Sequence, residues 1–260
     1  MKTKELLLKL SRRFPKRYAK MNHDRVGLMS GKLPLEVNKI VLCLDFDHEI
    51  FDFVKEVKPD LILTHHPFIY GTRARVLKYD PVKRALVEKI EALGIPVYSM
   101  HTNFDTGIGG MNDALAEALG LVDVKVIEKD PMMRGGRLPK PMKVEEFAKY
   151  AVKCFNVDYS LLINKGKEIV ESVAIIGGVG SRRWSLAKDE GYDIYISGDA
   201  PHYIRRDVVL NDYNYLDMPH EIEKIFMPQM KKLLLEIDPS LEVITVDHEK
   251  LPEVIMKCDN

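Results

Sequence analysis

The amino-acid sequence predicts an α/β protein built as two similar lobes, each a mostly parallel sheet with helices packed over it. Three observations carry that expectation. From Val37 onward, apolar β-branched runs alternate with segments of helical spacing. A stretch in the second half repeats the pattern of one in the first almost without gaps. Between them, residues 128–142, EKDPMMRGGRLPKPM, break the rhythm with three prolines and two glycines.

The N-terminal residues MKTKELLLKLSRRFPKRYAK read as an amphipathic helix with Leu6, Leu7 and Leu10 on one face, ending near Pro15. The apolar run is too short and too interrupted for a signal peptide or a membrane span. NKIVLCLDF is apolar enough for a strand covered on both faces. HEIFDFVKEV follows with Ile50, Phe53, Val54 and Val57 at helical spacing, and DLILT is the next strand. In DPVKRALVEKIEALG, Pro81 opens a helix and Gly94 closes it. IPVYSM is a further strand, and MNDALAEALG a helix closed by Gly120. After the Pro- and Gly-rich break, VEEFAKYAVKCF is a helix and a strand begins near Val170.

The repeat lies between KIVLCLDFDHEIFDFVKEVKPDLILTHHP and SVAIIGGVGSRRWSLAKDEGYDIYISGDAP. In both, a strand leads to a helix, then to Asp60 or Asp193, then to a four-residue strand. His65 and His66 of the first copy fall where Gly198 and Asp199 fall in the second. The expected lobes are residues 1–125 and 126–260, closely packed as one unit, with the cleft between them as the natural site.

Composition narrows the function classes. Thirty-nine basic residues balance thirty-nine acidic ones, so no net field draws the chain to nucleic acid or to a membrane surface. Cys43, Cys154 and Cys258 are far apart, with no C-x-x-C pair. This speaks against a disulfide framework or a thiolate zinc site and fits a cytoplasmic protein.

Polar clusters fall where predicted strands end, the edge at which open α/β sheets collect ligands. They are His65 and His66 after LILT, HTNFD (His101 to Asp105) after IPVYSM, and SGDAPH (Gly198 to His202) after DIYI. In MPHEIEK, His220 stands three residues before Glu223, ahead of a C-terminal helix. Histidine with carboxylate is the usual ligand set for zinc, manganese or iron. Adjacent residues on a strand point to opposite faces, so His65 and His66 share a site only where the chain leaves the sheet, and Pro67 helps it leave. Neighbouring imidazoles divide naturally between two metals about 3.5–4 Å apart, with a carboxylate such as Glu223 or Asp105 as bridge. Each cluster also has an ordinary reading: a core histidine at His101, turn-formers at Asn103, Asp105, Gly198 and Asp199, and a helix start at His220. Four such coincidences are jointly harder to accept than one shared metal site.

The GGVGSRR stretch leaves the amides of Gly177, Gly178 and Gly180 bare beside Arg182 and Arg183, as a phosphate-binding turn would. It matches neither G-x-G-x-x-G nor a P-loop, so a tight strand-to-helix connection is the competing reading. Ser181 lacks the G-x-S-x-G context of a nucleophile.

RVGLMSG, DLILTHHPFIYG, HTNFDTGIGGMNDALAEALGL and VAIIGGVGS…YDIYISGDAPHY…DMPHEIEK resemble, in order, the motifs of the GTP cyclohydrolase I type 2 homologue family, also called YbgI-like or Nif-three-like dinuclear-metal proteins. The resemblance runs from about residue 22 to about residue 235. It implies two similar α/β lobes, a toroidal homohexamer, and two divalent metal ions per chain in the inter-lobe cleft, with Zn, Fe, Mn and Ni all compatible. By it, His65 and His66 match the paired histidine ligands, Asp105 the aspartate ligand and His220 the late histidine. The family places a glutamate four residues after that histidine, in Gly-His-x-x-x-Glu; here Pro219 replaces the glycine and Lys224 holds that position. Glu223 is the nearest substitute and Glu221 the next. The functional expectation is a metal-dependent hydrolase of a small nucleotide-like or phosphorylated substrate, in which His101, Asp199 or His202 orients ligands or carries protons. The alternative is a non-enzymatic, metal-binding hexameric scaffold or adaptor.

Overall fold

The computed structural model describes residues 1–250 and 252–255. The chain divides into two compact units, Met1–Gly110 joined by Lys224–His248, and Met111–Glu223 joined by the described residues among 249–255. Residues 251 and 256–260, including Cys258, lie outside the described residues; Cys43 is buried and Cys154 half-buried.

The first unit opens with α1 (Thr3–Arg13), which buries Leu6 and Leu10 and stops before Pro15 as its spacing predicts. A short α2 (Arg17–Met21) and β1 (Gly27–Ser30) follow, neither evident in the sequence pattern. Next come β2 (Lys39–Cys43), α3 (His48–Val57) and β3 (Leu61–Thr64). Asp47 starts α3 by accepting hydrogen bonds from the Glu49 and Ile50 amides. Consecutive residues Val41, Leu42, Ile62 and Leu63 are all inaccessible, which requires cover on both sheet faces. Each such side chain contributes roughly 1.5–3 kcal/mol by leaving water. The stretch ends with α4 (Arg73–Tyr79), α5 (Pro81–Ala92), β4 (Val97–Ser99) and α6 (Thr102–Thr106).

The second unit runs through α7 (Met111–Ala118), β5 (Val122–Ile127), β6 (Asp130–Lys143), α8 (Val144–Phe155), β7 (Leu161–Ile163) and β8 (Ile169–Ile175). It continues with α9 (Trp184–Asp189), β9 (Ile194–Gly198), α10 (His202–Leu210) and β10 (Asn214–Met218). A 3-10 turn, His220–Ile225, leads into α11 (Phe226–Ile237) and β11 (Glu242–Thr245), which belong to the first unit.

The first sheet has the order β1-β4-β3-β2-β11, parallel except at β1. The second has the order β5-β6-β8-β9-β10-β7, with a parallel β8-β9-β10 centre and antiparallel strands outside it. No helix of the described residues is long and apolar enough to cross a membrane.

Two expectations change. A boundary at residue 125 is not the one the packing draws, because β11 pairs with β2 and returns the C-terminal segment to the first sheet. The broken stretch 128–142 is not a break between the halves but most of β6, which pairs with both β5 and β8. Its Pro139 and Pro141 fall where the β6–β8 register is interrupted, between Arg137 and Met142, where no ladder amide is needed. Gly135 is there because a Cβ would run into the Tyr192 ring.

The internal repeat is realised strand by strand. Ile40 pairs with Leu61 and Val173 with Ile194, the same offset in each unit. Asp60 accepts the Asn38 and Lys39 amides at 2.8 and 2.9 Å, and Asp193 accepts those of Glu171 and Ser172 at 3.0 and 2.9 Å. One carboxylate thus clamps the start of the preceding strand in both copies.

Candidate functional site

In the first unit, polar side chains gather at the carboxyl ends of β2, β3 and β4. His65 is fully buried, and its Nδ1 lies 2.9 Å from the Met100 carbonyl. A carbonyl only accepts, so Nδ1 carries the proton and the lone pair of the neutral ring sits on Nε2. His66 Nδ1 lies 2.7 Å from Asp45 Oδ2, and His101 Nδ1 lies 2.9 Å from Asp24 Oδ2. The three rings stand 5.0, 5.1 and 5.5 Å apart, and ligand nitrogens from all three lie within 4.8 Å of one another. Asp105, on α6, brings Oδ1 to 3.5 Å from His65 Nε2. Phe226 packs against the His65 ring at 5.2 Å.

The loop is held for this purpose. Thr64 Oγ1 donates to the His66 carbonyl at 2.8 Å, which leaves it to accept from the Ser99 hydroxyl at 2.7 Å. Asn103 is more than a turn-former: its Oδ1 accepts the His101 amide and its Nδ2 donates to the Phe14 carbonyl. Burial alone would raise the pKa of Asp24. Hydrogen bonds from His101, Thr102 and the Arg25 amide, with the charge of His101, outweigh it and hold Asp24 below its ordinary value.

In the second unit, His220 Nδ1 meets Asp199 Oδ2 at 2.5 Å and its Nε2 meets Glu223 Oε2 at 3.0 Å. The 3-10 turn explains the second contact, since its side chains eclipse three residues apart. Burial disfavours the charged ring, but the two carboxylates prevail and raise its pKa to about 11. Glu223 is the buried acid beside His220, whereas Glu221 is half-buried on the wall of a neighbouring cavity. Of the two acids, Glu223 is the one that meets His220.

The turn at residues 177–183 proves to be Glu223's seat. Gly178 has φ +61°, and a Cβ there would overlap Glu223 Oε1. The Gly177 amide donates to Asn112 Oδ1, and Arg183 is paired with Asp130, so the phosphate-cradle reading gives way to the tight connection. Asp199 also adopts a left-handed φ of +55°, uncommon for a non-glycine residue, and this holds its carboxylate on His220. His202 is exposed on the first turn of α10.

The donor chemistry fits divalent metal. His65, His66, His101 and His220 each have Nδ1 on an oxygen acceptor, the arrangement that fixes the tautomer of a metal-binding imidazole and turns Nε2 outward. Asp105 and Glu223 add hard oxygen donors beside two of them. Of the five residues singled out in the sequence as ligands, His65, His66 and Asp105 stand together in the first unit and His220 and Glu223 in the second. The supporting carboxylates Asp24 and Asp45 were not foreseen. Asp45 stands two residues past β2, a position a strand-end rule would have flagged, while Asp24 lies between α2 and β1, neither of which the sequence pattern reveals.

The Duf34/NIF3 (NGG1p interacting factor 3) family profile matches residues 1–252. A Clostridium perfringens protein named GTP cyclohydrolase 1 type 2 homolog is 30% identical over 241 residues, covering 90% of this chain and 92% of that one. A Lactococcus lactis protein of the same name is 26% identical over 247 residues, covering 94% and 95%. The crystal structure of a Bacillus cereus protein related to NIF3 superposes with a TM-score of 0.87 at 20% identity, covering 98% of this chain and 99% of that one, which speaks to fold alone. The chain belongs to the Duf34/NIF3 family.

Proposed function

We propose that the protein is a metal-dependent hydrolase that holds two divalent ions per chain and acts on a small nucleotide-like or phosphorylated substrate. The ligands in this reading are His65, His66, Asp105, His220 and Glu223. The observation that carries it is the common posture of the imidazoles, each tethered through Nδ1 and presenting Nε2. The name shared by the Clostridium and Lactococcus relatives supports a nucleotide as substrate.

Divalent ions in such a setting supply Lewis acidity toward a carbonyl, phosphoryl or ring carbon and lower the pKa of a water toward about 7. The chain's own residues do the rest. Asp45 and Asp199 fix the rings of His66 and His220, and the Met100 carbonyl fixes that of His65. His101, backed by Asp24, holds and moves a proton at Nε2, as a histidine–aspartate pair does in general acid–base catalysis.

Elemental analysis of purified protein, followed by a nucleotide panel with metal-loaded wild type and His66→Ala, tests the proposal. Two ions per chain and turnover that vanishes in the variant are expected. Absence of any turnover that depends on His66 would rule out the hydrolase and leave a metal-ordered scaffold, which size-exclusion chromatography with and without chelator detects. The reading includes homohexameric assembly in the cytoplasm; light scattering of the full chain tests the assembly.

A further inference from the structure

A cavity of about 410 Å³ lies in the second unit, with His220 on its wall. Its polar lining is unusual. Arg205, on α10, has its Nε buried with no hydrogen-bond partner among the described residues. Arg205 itself lines the cavity, which puts a fixed-geometry donor side chain on its wall. Asp217, at the end of β10, accepts the Ala200 amide through Oδ1 at 3.1 Å, and its carboxylate faces the same cavity. Arg205 and Asp217 are near enough to feel each other's charge, yet no ion pair joins them. A donor fork and an acceptor thus face one space, each unused by the other.

The remaining walls decide what fits. Tyr159, Leu161 and Met218 offer apolar surface to a flat ring. Asp199, Asp217 and Glu221 line the cavity against the Arg205 guanidinium and the His220 ring, a balance that stays negative and disfavours a phosphate group there. An uncharged ring with a carbonyl beside an N–H satisfies both demands, the oxygen accepting from Arg205 and the N–H donating to Asp217.

We propose that this cavity is a recognition pocket for a cyclic-amide heterocycle, such as the oxo edge of a nucleobase, read by Arg205 and Asp217. The proposal rests on the nucleotide-like substrate class inferred above and assigns the base, not the phosphate, to this pocket.

Calorimetric titration of the full chain, both chelator-treated and metal-loaded, tests it with uridine and inosine against cytidine and adenosine, and with inorganic phosphate and free glycine as controls. Uridine or inosine is expected to bind at least tenfold more tightly than its amino counterpart. Arg205→Met should abolish that preference while metal content by elemental analysis and melting temperature stay unchanged. Asp217→Asn, which keeps the acceptor for Ala200 but turns the other oxygen into a donor, should abolish it too. Equal binding of oxo and amino bases, a preference that survives both substitutions, no nucleoside binding, or tighter binding of phosphate or glycine would each overturn it. Because the chelator-treated protein is read separately, failure of the metal reading leaves this result intact.

Discussion

The β2–α3–β3 and β8–α9–β9 segments share a register and an aspartate clamp, yet they arm their loops differently. After β3 the first copy places His65 and His66; after β9 the second places Gly198 and Asp199. Asp45, two residues past β2, holds His66, while the corresponding Gly178 leaves room for the Glu223 carboxylate. The third strands restore the likeness. Thr64 pairs with Ser99 and Ser197 with Asp217, and six residues past Ser99 and Asp217 stand Asp105 and Glu223. Each copy thus delivers an acid from a short helical turn after its third strand. The first copy takes its imidazoles from two loops, the second only from the turn itself. Duplication of the scaffold fixed where acids can stand, and divergence of the loops decided which copy carries most of the nitrogen.

The largest expected effect breaks this division. His66→Ala and Glu223→Gln each remove a proposed ligand, and on that proposal dialysed protein should lose divalent metal by more than the roughly 10- to 100-fold that follows loss of an outer partner. Elemental analysis reads the result; full occupancy in either variant contradicts the assignment. Asp45→Ala and Asp199→Ala come next, with metal affinity falling roughly 10- to 100-fold as His66 and His220 lose their orientation. Competition with a chromogenic chelator measures it. Near-equal losses mean that both copies rely on carboxylate-tethered histidines despite their different loops.

Much of this was legible in the sequence because strong patterns were honest about local structure. HEIFDFVKEV and VEEFAKYAVKCF became α3 and α8 with matching ends, since apolar spacing and Asp47's cap act within one helix. Asp60 and Asp193 revealed the repeat because a clamp needs its acid at a fixed distance from the strand it holds. What escaped was non-local. β6 hid behind its prolines because only its pairing with β8 shows that Pro139 and Pro141 fall in a register break. Asp24 escaped because its role depends on His101, far along the chain. The Gly177–Arg183 turn stays open between an anion turn and a tight connection in the sequence, because the acid that fills the space at Gly178 comes from another loop.

The aspartate clamps can be compared directly. Asp193 accepts the Ser172 hydroxyl at 3.0 Å and the Lys167 ammonium at 2.5 Å in addition to two amides, whereas Asp60 is shown with the two amides. Asp193→Ala should cost more than Asp60→Ala in urea denaturation, since both lose two amide bonds to a carboxylate, worth roughly 1.5–3 kcal/mol each, and Asp193 loses a hydroxyl and an ammonium besides. Burial tends to raise the Asp193 pKa, but Lys167, the two amides and Ser172 hold it below the ordinary 3.8. A depressed carboxyl stabilises the fold above its unfolded pKa and loses that contribution as pH falls through the folded value. The gap between wild type and Asp193→Ala should therefore be level from pH 7 down to 3.8 and narrow below it; a gap that narrows between pH 7 and 5 implicates another group.

Lys167→Met is the smallest and most discriminating change. The Lys167 side chain is 72% exposed while that of Asp193 is 4% exposed, so the ion pair has one end in water. Salt screens such a pair, and holding a long lysine chain in place offsets part of its attraction. Two amides and a hydroxyl still hold the carboxylate after the lysine is gone. The urea midpoint of Lys167→Met should therefore stay within the scatter of wild type at physiological salt, with a small loss emerging only as salt is lowered. A loss as large as that of Asp193→Ala would mean that the second copy relies on its lysine where the first manages with amides alone, and the two clamps would no longer be the same device.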